Sequence, residues 1–200
     1  MRDIDLAQYD LIVRMNNGLD TAISSLGQNP LRCDLLFHSL TDEARPVTPS
    51  KLAAAGVRWL VHRTPTKAAF LDTLIAFRRF CPEVAVKHIP SQVYENLRKT
   101  LDASPTTGLV CCRFFLQAPV EKVAIVGFSF FTTHYLRGYD DTVDSDAAAV
   151  ERIAARQHHK PNREAAMMHQ LVEQARQHDV SVVLGRSVQQ AMKDCIRHVD

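Results

Sequence analysis

No segment of this chain carries the roughly 18 consecutive apolar residues that a membrane-crossing helix needs. Its opening, MRDIDLAQYDLIV, has no continuous apolar stretch behind a basic one and does not read as a secretory signal. An excess of one charge is lacking too. The 24 Lys and Arg against 22 Asp and Glu leave a formal +2, and no dense basic run argues for nucleic acid. The cysteines lack metal-like spacing: Cys33, Cys81, Cys111, Cys112 and Cys195 are odd in number, and two are neighbours on an apolar run. Buried free thiols and a reducing cytoplasm are therefore expected. No repeat, low-complexity tract or linker divides the 200 residues, so one domain over 1–200 is expected.

What is present is ordinary globular composition, 46% hydrophobic and 23% charged. Six short β-rich runs read as strands: 10–15, 33–39, 57–62, 84–89, 122–128 and 180–185. Several are apolar throughout, as in a sheet covered on both faces. Between them the pattern predicts an amphipathic helix over 64–80, with Phe70, Leu74, Phe77 and Phe80 near one face. Ser91 is expected to cap the next helix. Pro105-Thr106 opens another, to about Gln117, and Pro161 starts a long one. This alternation implies an α/β sandwich with a mainly parallel sheet. From Thr132 to His159 the chain is polar and then Ala-rich, which reads as a long irregular segment of the kind that often builds a site.

Several short stretches could carry chemistry, each beside a plainer reading. A helix start at Thr106 offers free N–H groups to a carboxylate or phosphate, and Gly108 would let a ligand approach; the residues could equally be a simple cap. Asn16 and Asn17 could bond a nucleotide or just make a turn. His134 and His159 could move protons or be solvated loop side chains, and Glu164 could be a helix-dipole residue. Asp140, Asp141, Asp144 and Asp146 could hold Mg²⁺ or Mn²⁺, although a hydrated acidic loop is the plainer reading.

The order of these pieces resembles glycosyltransferase family 29, the animal-type sialyltransferases. That family has a large motif ending Asp-x-Val-Ile-Arg-x-Asn. Here the chain reads Asp10, Ile12-Val13-Arg14 and Asn16, with Ile4-Asp5 upstream. A small motif is matched by Pro105-Thr106-Thr107-Gly108-Leu109, then Glu121-Lys122-Val123 and Gly127-Phe128. A third is similar to His134-Tyr135, and the last, His followed five positions later by Glu, to His159 and Glu164.

The resemblance implies a Rossmann-like fold, a variant of GT-A, and an inverting, metal-independent enzyme. It would move sialic acid or a related sugar acid from a CMP-sugar donor to a saccharide hydroxyl. His159 would be the general base and His134 the partner of the departing phosphate. Asn16 would hold the nucleotide, and Thr106, Thr107, Gly108 and Gly127 would lie at the donor. Arg14, Tyr135 and Glu164 would support these groups. No cofactor, resident metal, nucleic acid or membrane span is expected. The family's first strand and its Asn- and Gly-containing donor loop precede the large motif's end, and this chain begins too late to include them. A missing first strand, an exposed sheet edge and weak donor binding are thus expected. A bridging cysteine of animal members falls at Pro119, in keeping with a bacterial-type cytoplasmic protein. Two rival readings remain: a metal-dependent sugar transferase using Asp144 and Asp146, and a non-catalytic or degraded relative that binds a nucleotide or glycan.

Overall fold

The computed structural model describes residues 4–40, 45–63, 66–135, 138–140, 142–156 and 158–197. The chain forms two compact units, Ile4–Glu95 and the part from Asn96 onward. The first contains β1 (Val13–Met15), β2 (Leu35–His38), α1 (Pro49–Ala55), β3 (Trp59–His62), α2 (Lys67–Phe80) and β4 (Ala85–His88). Helix α3 (Ser91–Leu101) runs from it into the second. There follow α4 (Thr107–Leu116), β5 (Lys122–Ile125), α5 (Asp146–Arg156), α6 (Pro161–Gln177), β6 (Ser181–Leu184) and α7 (Arg186–Arg197). Every paired strand is parallel, in the order β1-β2-β3-β4 in the first unit and β5-β6 in the second. The protein is mixed α/β, and among the described residues its strands form two sheets where the sequence suggested one.

All six strands lie inside the runs that suggested them. The helices depart more. The segment expected to be irregular contains α5, because Ser145 caps an Ala-rich stretch: its hydroxyl accepts from the Ala148 N–H at 3.2 Å. Helices α1 and α7 were not expected. In α7 the buried Val188, Ala191, Met192 and Cys195 have helical spacing that the sequence did carry. Ser91 is the first residue of α3 rather than a cap ahead of it. Thr64, Pro65 and Asp141 lie outside the described residues.

In the first unit the strand register sets Leu36 beside Leu60 and Leu60 beside Val86. This row packs with Leu52 and Ala55 of α1, Phe77 of α2, and Cys33 and Cys81. Each fully buried Leu contributes about 1.5–3 kcal/mol. Thr48 starts α1 by accepting from the Lys51 N–H, and Pro49 suits the first turn. Gly56, at φ +73°, ends it in the left-handed region. In the second unit Ala165, Met168, Leu171, Val172 and Ala175 make the buried stripe of α6, which packs on α4, β6 and α7. All five cysteines are buried, and none forms a disulfide. Burial pushes the thiols of Cys33 and Cys112 up to about 12, which leaves them unreactive.

The link from β1 to β2 has only short 3-10 turns, and a buried arginine does the work a helix would do elsewhere. Arg14 Nε donates to the Arg32 carbonyl at 2.9 Å, Nη2 to Pro30 at 2.6 Å, and Nη1 to Gly18 at 2.9 Å and to Thr21. Burial lowers its pKa without threatening its charge.

Three histidines, His38, His62 and His88, stand in register across β2, β3 and β4. His38 and His62 are each only 2% exposed. The Leu40 N–H donates to His38 Nδ1 at 2.9 Å, a bond only the neutral ring can accept. Burial, then the neighbouring His62, lower the His38 pKa to about 4, against a smaller opposing pull from Asp20. Burial also lowers His62; Arg63 and His88 act in the same direction, while the Ser39 backbone opposes them. The unfolded chain takes up these protons near the ordinary value and the folded chain only below it. Stability is therefore full above about pH 6.5 and falls as the pH drops towards 4, by about 3 kcal/mol from His38 alone. Urea unfolding followed by the single tryptophan, Trp59 of β3, should show the larger part of this loss between pH 7.5 and 5, and His38→Gln should flatten it. Equal urea midpoints at the two pH values would refute it.

Candidate functional site

Helix α4 begins with a capping threonine that has a second duty. Thr106 Oγ1 accepts from the Leu109 N–H at 3.1 Å and donates to Glu164 Oε2 at 2.6 Å. Its backbone N–H donates to Glu164 Oε1 at 3.0 Å. Glu164 sits in the first turn of α6, which opens at Pro161, and is 3% exposed. The carboxylate thus lies at two helix N-termini, whose positive dipole ends offset the loss of water.

The same junction fixes His159. Its Nδ1 lies 2.7 Å from the Ser104 carbonyl, which can only accept, so Nδ1 carries the proton and the neutral ring's lone pair is on Nε2. The Ser104 N–H returns a bond to the His158 carbonyl at 3.0 Å. Glu164 Oε1 is 3.6 Å from His159 Nδ1, and the His159 side chain is 28% exposed. Phe131 stacks on the imidazole, with centroids 5.7 Å apart and planes 14° apart. Lys160 Nζ reaches Asp102 at 2.6 Å, and Arg163 donates to the Leu101 carbonyl at 3.0 Å. Lys160, then Arg163, hold the Asp102 carboxyl below its ordinary value.

His134 hangs from the first residue of α5. Its backbone N–H and its Nδ1 meet Asp146 Oδ1 at 2.8 and 2.5 Å, and those two contacts lower the Asp146 pKa. Asp140 is taken by Thr142 and by Arg152, the latter at 2.8 Å; these outweigh the upward push of burial and lower its pKa. Asp144 is exposed. Among the described residues no group of three or more His, Cys, Asp or Glu is disposed to hold a metal ion.

The remaining sequence-selected residues divide between the units. Thr107 is buried in the first turn of α4. A Cβ on Gly108 would come within 2.5 Å of Phe128 Cε1, so a larger residue there would have to displace that ring of the chain itself. Gly127, at φ +77°, turns the chain after β5. Tyr135 stacks on Tyr139 at 4.9 Å and meets the Phe131 ring edge-on. Asn16 and Arg14 belong to the other unit. There Asn16, at φ +46°, accepts from the Ser39 N–H at 2.9 Å, and Asn17 accepts from the Arg45 N–H at 2.8 Å. The sequence reading therefore picked segments 105–109, 134–135 and 159–164, which lie in one unit, and missed Ser104, Phe131 and Asp146 as their supports. Asp146 did carry a signal, an acid at the start of an Ala-rich run. A backbone carbonyl and an aromatic stack carry none.

Thr106→Val should destabilise the protein by about 2–3 kcal/mol in chemical denaturation, because it leaves a buried carboxylate short of a donor. Thr106→Ser should retain most of that stability, and a valine variant as stable as the parent would contradict the assignment.

No family model matches the chain, and neither does any curated protein or solved structure.

Proposed function

We propose that the protein is a sialyltransferase-like, inverting and metal-independent glycosyltransferase with a Rossmann-like, GT-A-variant fold, acting in the cytoplasm. One observation carries the reading. Residues 105–109 and 159–164, which resemble two separate motifs of glycosyltransferase family 29, are drawn together by Glu164–Thr106 bonds spanning 58 residues and by a bond from His159 to Ser104, the residue just ahead of the first motif, spanning 55. Such a junction is what a shared donor pocket needs. In this reading the acceptor hydroxyl gives its proton to His159 Nε2 as its oxygen bonds to the anomeric carbon of the sugar acid. The bond from that carbon to the CMP phosphate breaks, and its electron pair leaves on the phosphate, towards His134. The sugar's carboxylate meets the Thr107 and Gly108 amides, first-turn N–H groups outside the bonds made by Thr106, Leu109 and Val110.

CMP release from CMP-sialic acid with a panel of saccharide acceptors tests this directly. His159→Ala should cut turnover on the order of 10²–10⁴-fold, the usual worth of a general base. CMP should raise the melting temperature more than UDP or GDP, by mass action on the native state. Undiminished turnover in His159→Ala would remove the base assignment. Activity abolished by EDTA would favour the metal-dependent reading through Asp144 and Asp146.

A further inference from the structure

Between β5 and His134 the chain makes a tight turn, Ser129 to Thr132. Thr132 closes it twice onto the Ser129 carbonyl, with its N–H at 2.9 Å and its hydroxyl at 2.6 Å. The two central residues, Phe130 and Phe131, have φ of +48° and +61°. Left-handed φ at both central positions is the pattern of a turn dominated by Gly, Asn and Asp. Bulky side chains there are outliers, and such strain persists only where the surroundings impose it, often at functional sites.

The surroundings pull the two rings apart. Phe130 is 7% exposed, with its ring 6.4 Å from Phe128, the ring that fills the space at Gly108. Phe131 instead stacks on His159, and its position is braced by Tyr135, edge-on at 6.5 Å. The hydrogen bond to Ser104 holds the imidazole at Nδ1, while small rotations about its side-chain bonds still tilt the ring. A flat aromatic neighbour removes that freedom.

We propose that Phe131 is a positioning residue for His159: its face sets the imidazole plane, so that Nε2 points in one direction. The inference rests on the reading of His159 as the base. There the ring gains a proton when the acceptor oxygen attacks, and a π face beside the resulting cation is also favourable.

Phe131→Gly separates this role from packing, because glycine adopts left-handed φ at no steric cost. The variant should melt no lower than the parent. Its kcat should fall on the order of 10-fold with the donor KM little changed, since the reacting groups are bound but less well aligned. Phe131→Tyr should restore kcat. In the NMR spectrum of the free protein, the His159 Hε1 and Hδ2 signals should lose their ring-current shift in the glycine variant and keep it in the tyrosine variant. Unchanged His159 signals with unchanged kcat in Phe131→Gly would overturn the proposal. A lowered melting temperature would assign Phe131 to packing and overturn it too. If the parent releases no CMP with any acceptor while the His159 signals respond as stated, the transferase reading falls and the positioning role stands.

Discussion

The second unit depends on one buried carboxylate. An ionised Glu164 without partners would cost several kcal/mol in a protein interior. Its two oxygens instead receive the hydroxyl and the backbone N–H of a single residue, Thr106. Because Thr106 is also the cap of α4, the bond ties the first turn of α6 to the start of α4, and neither helix can shift along its axis without stranding the charge. The bonds around Ser104, His158 and Asp102 then follow as a consequence of that registration. His159 owes its tautomer to this chain of contacts, since only a carbonyl held opposite Nδ1 forces the proton there.

The strained turn after β5 belongs to the same logic. Two adjacent phenylalanines in left-handed conformations are each unfavourable by about 1–3 kcal/mol, so the segment would relax if nothing held it. Phe130 is held from the interior side through Phe128, whose ring depends on Gly108 having no side chain. The glycine that the sequence suggested as an opening for a ligand thus has a structural duty inside the chain. Rigidity at the α4 N-terminus is passed through Phe128 and Phe130 to the residue that faces His159.

How much of this was legible beforehand follows from the range of each interaction. Strand positions were readable because runs such as VRWLVH and VSVVLG are largely apolar, and parallel pairing follows from the intervening helices everywhere except between β1 and β2. Helix α5 was hidden because the polar, acidic stretch ahead of it reads as a loop, although its Ala-rich body is a strong helix former. In the candidate site, His159 and Glu164 were singled out through the family resemblance, and Thr106 also through capping chemistry. Ser104 was not, because it acts through a carbonyl that every residue possesses. Phe131 was not, because two consecutive phenylalanines ordinarily signal a strand or core, not the middle of a tight turn. The acidic cluster was left open between a metal site and a hydrated loop for the opposite reason. Spacing alone cannot show that Asp140 is occupied by Arg152 and Asp146 by His134.

The two units solve a similar problem with charges of opposite sign. In the first, four backbone carbonyls converge where the β1–β2 link lacks a helix, and Arg14 supplies the fork of donors that can reach them all. In the second, N–H and hydroxyl donors gather at two helix starts, and Glu164 supplies the matching acceptors. Each charge is buried where backbone groups of one polarity crowd together, which is where an apolar side chain would leave several polar groups unsatisfied and a neutral one would satisfy too few. That explains why Arg14 and Glu164 are as buried as the surrounding core without weakening it. It also separates their role from the one proposed for His159: both side chains spend their hydrogen bonds on the fold, and Glu164 holds the junction at which the imidazole sits.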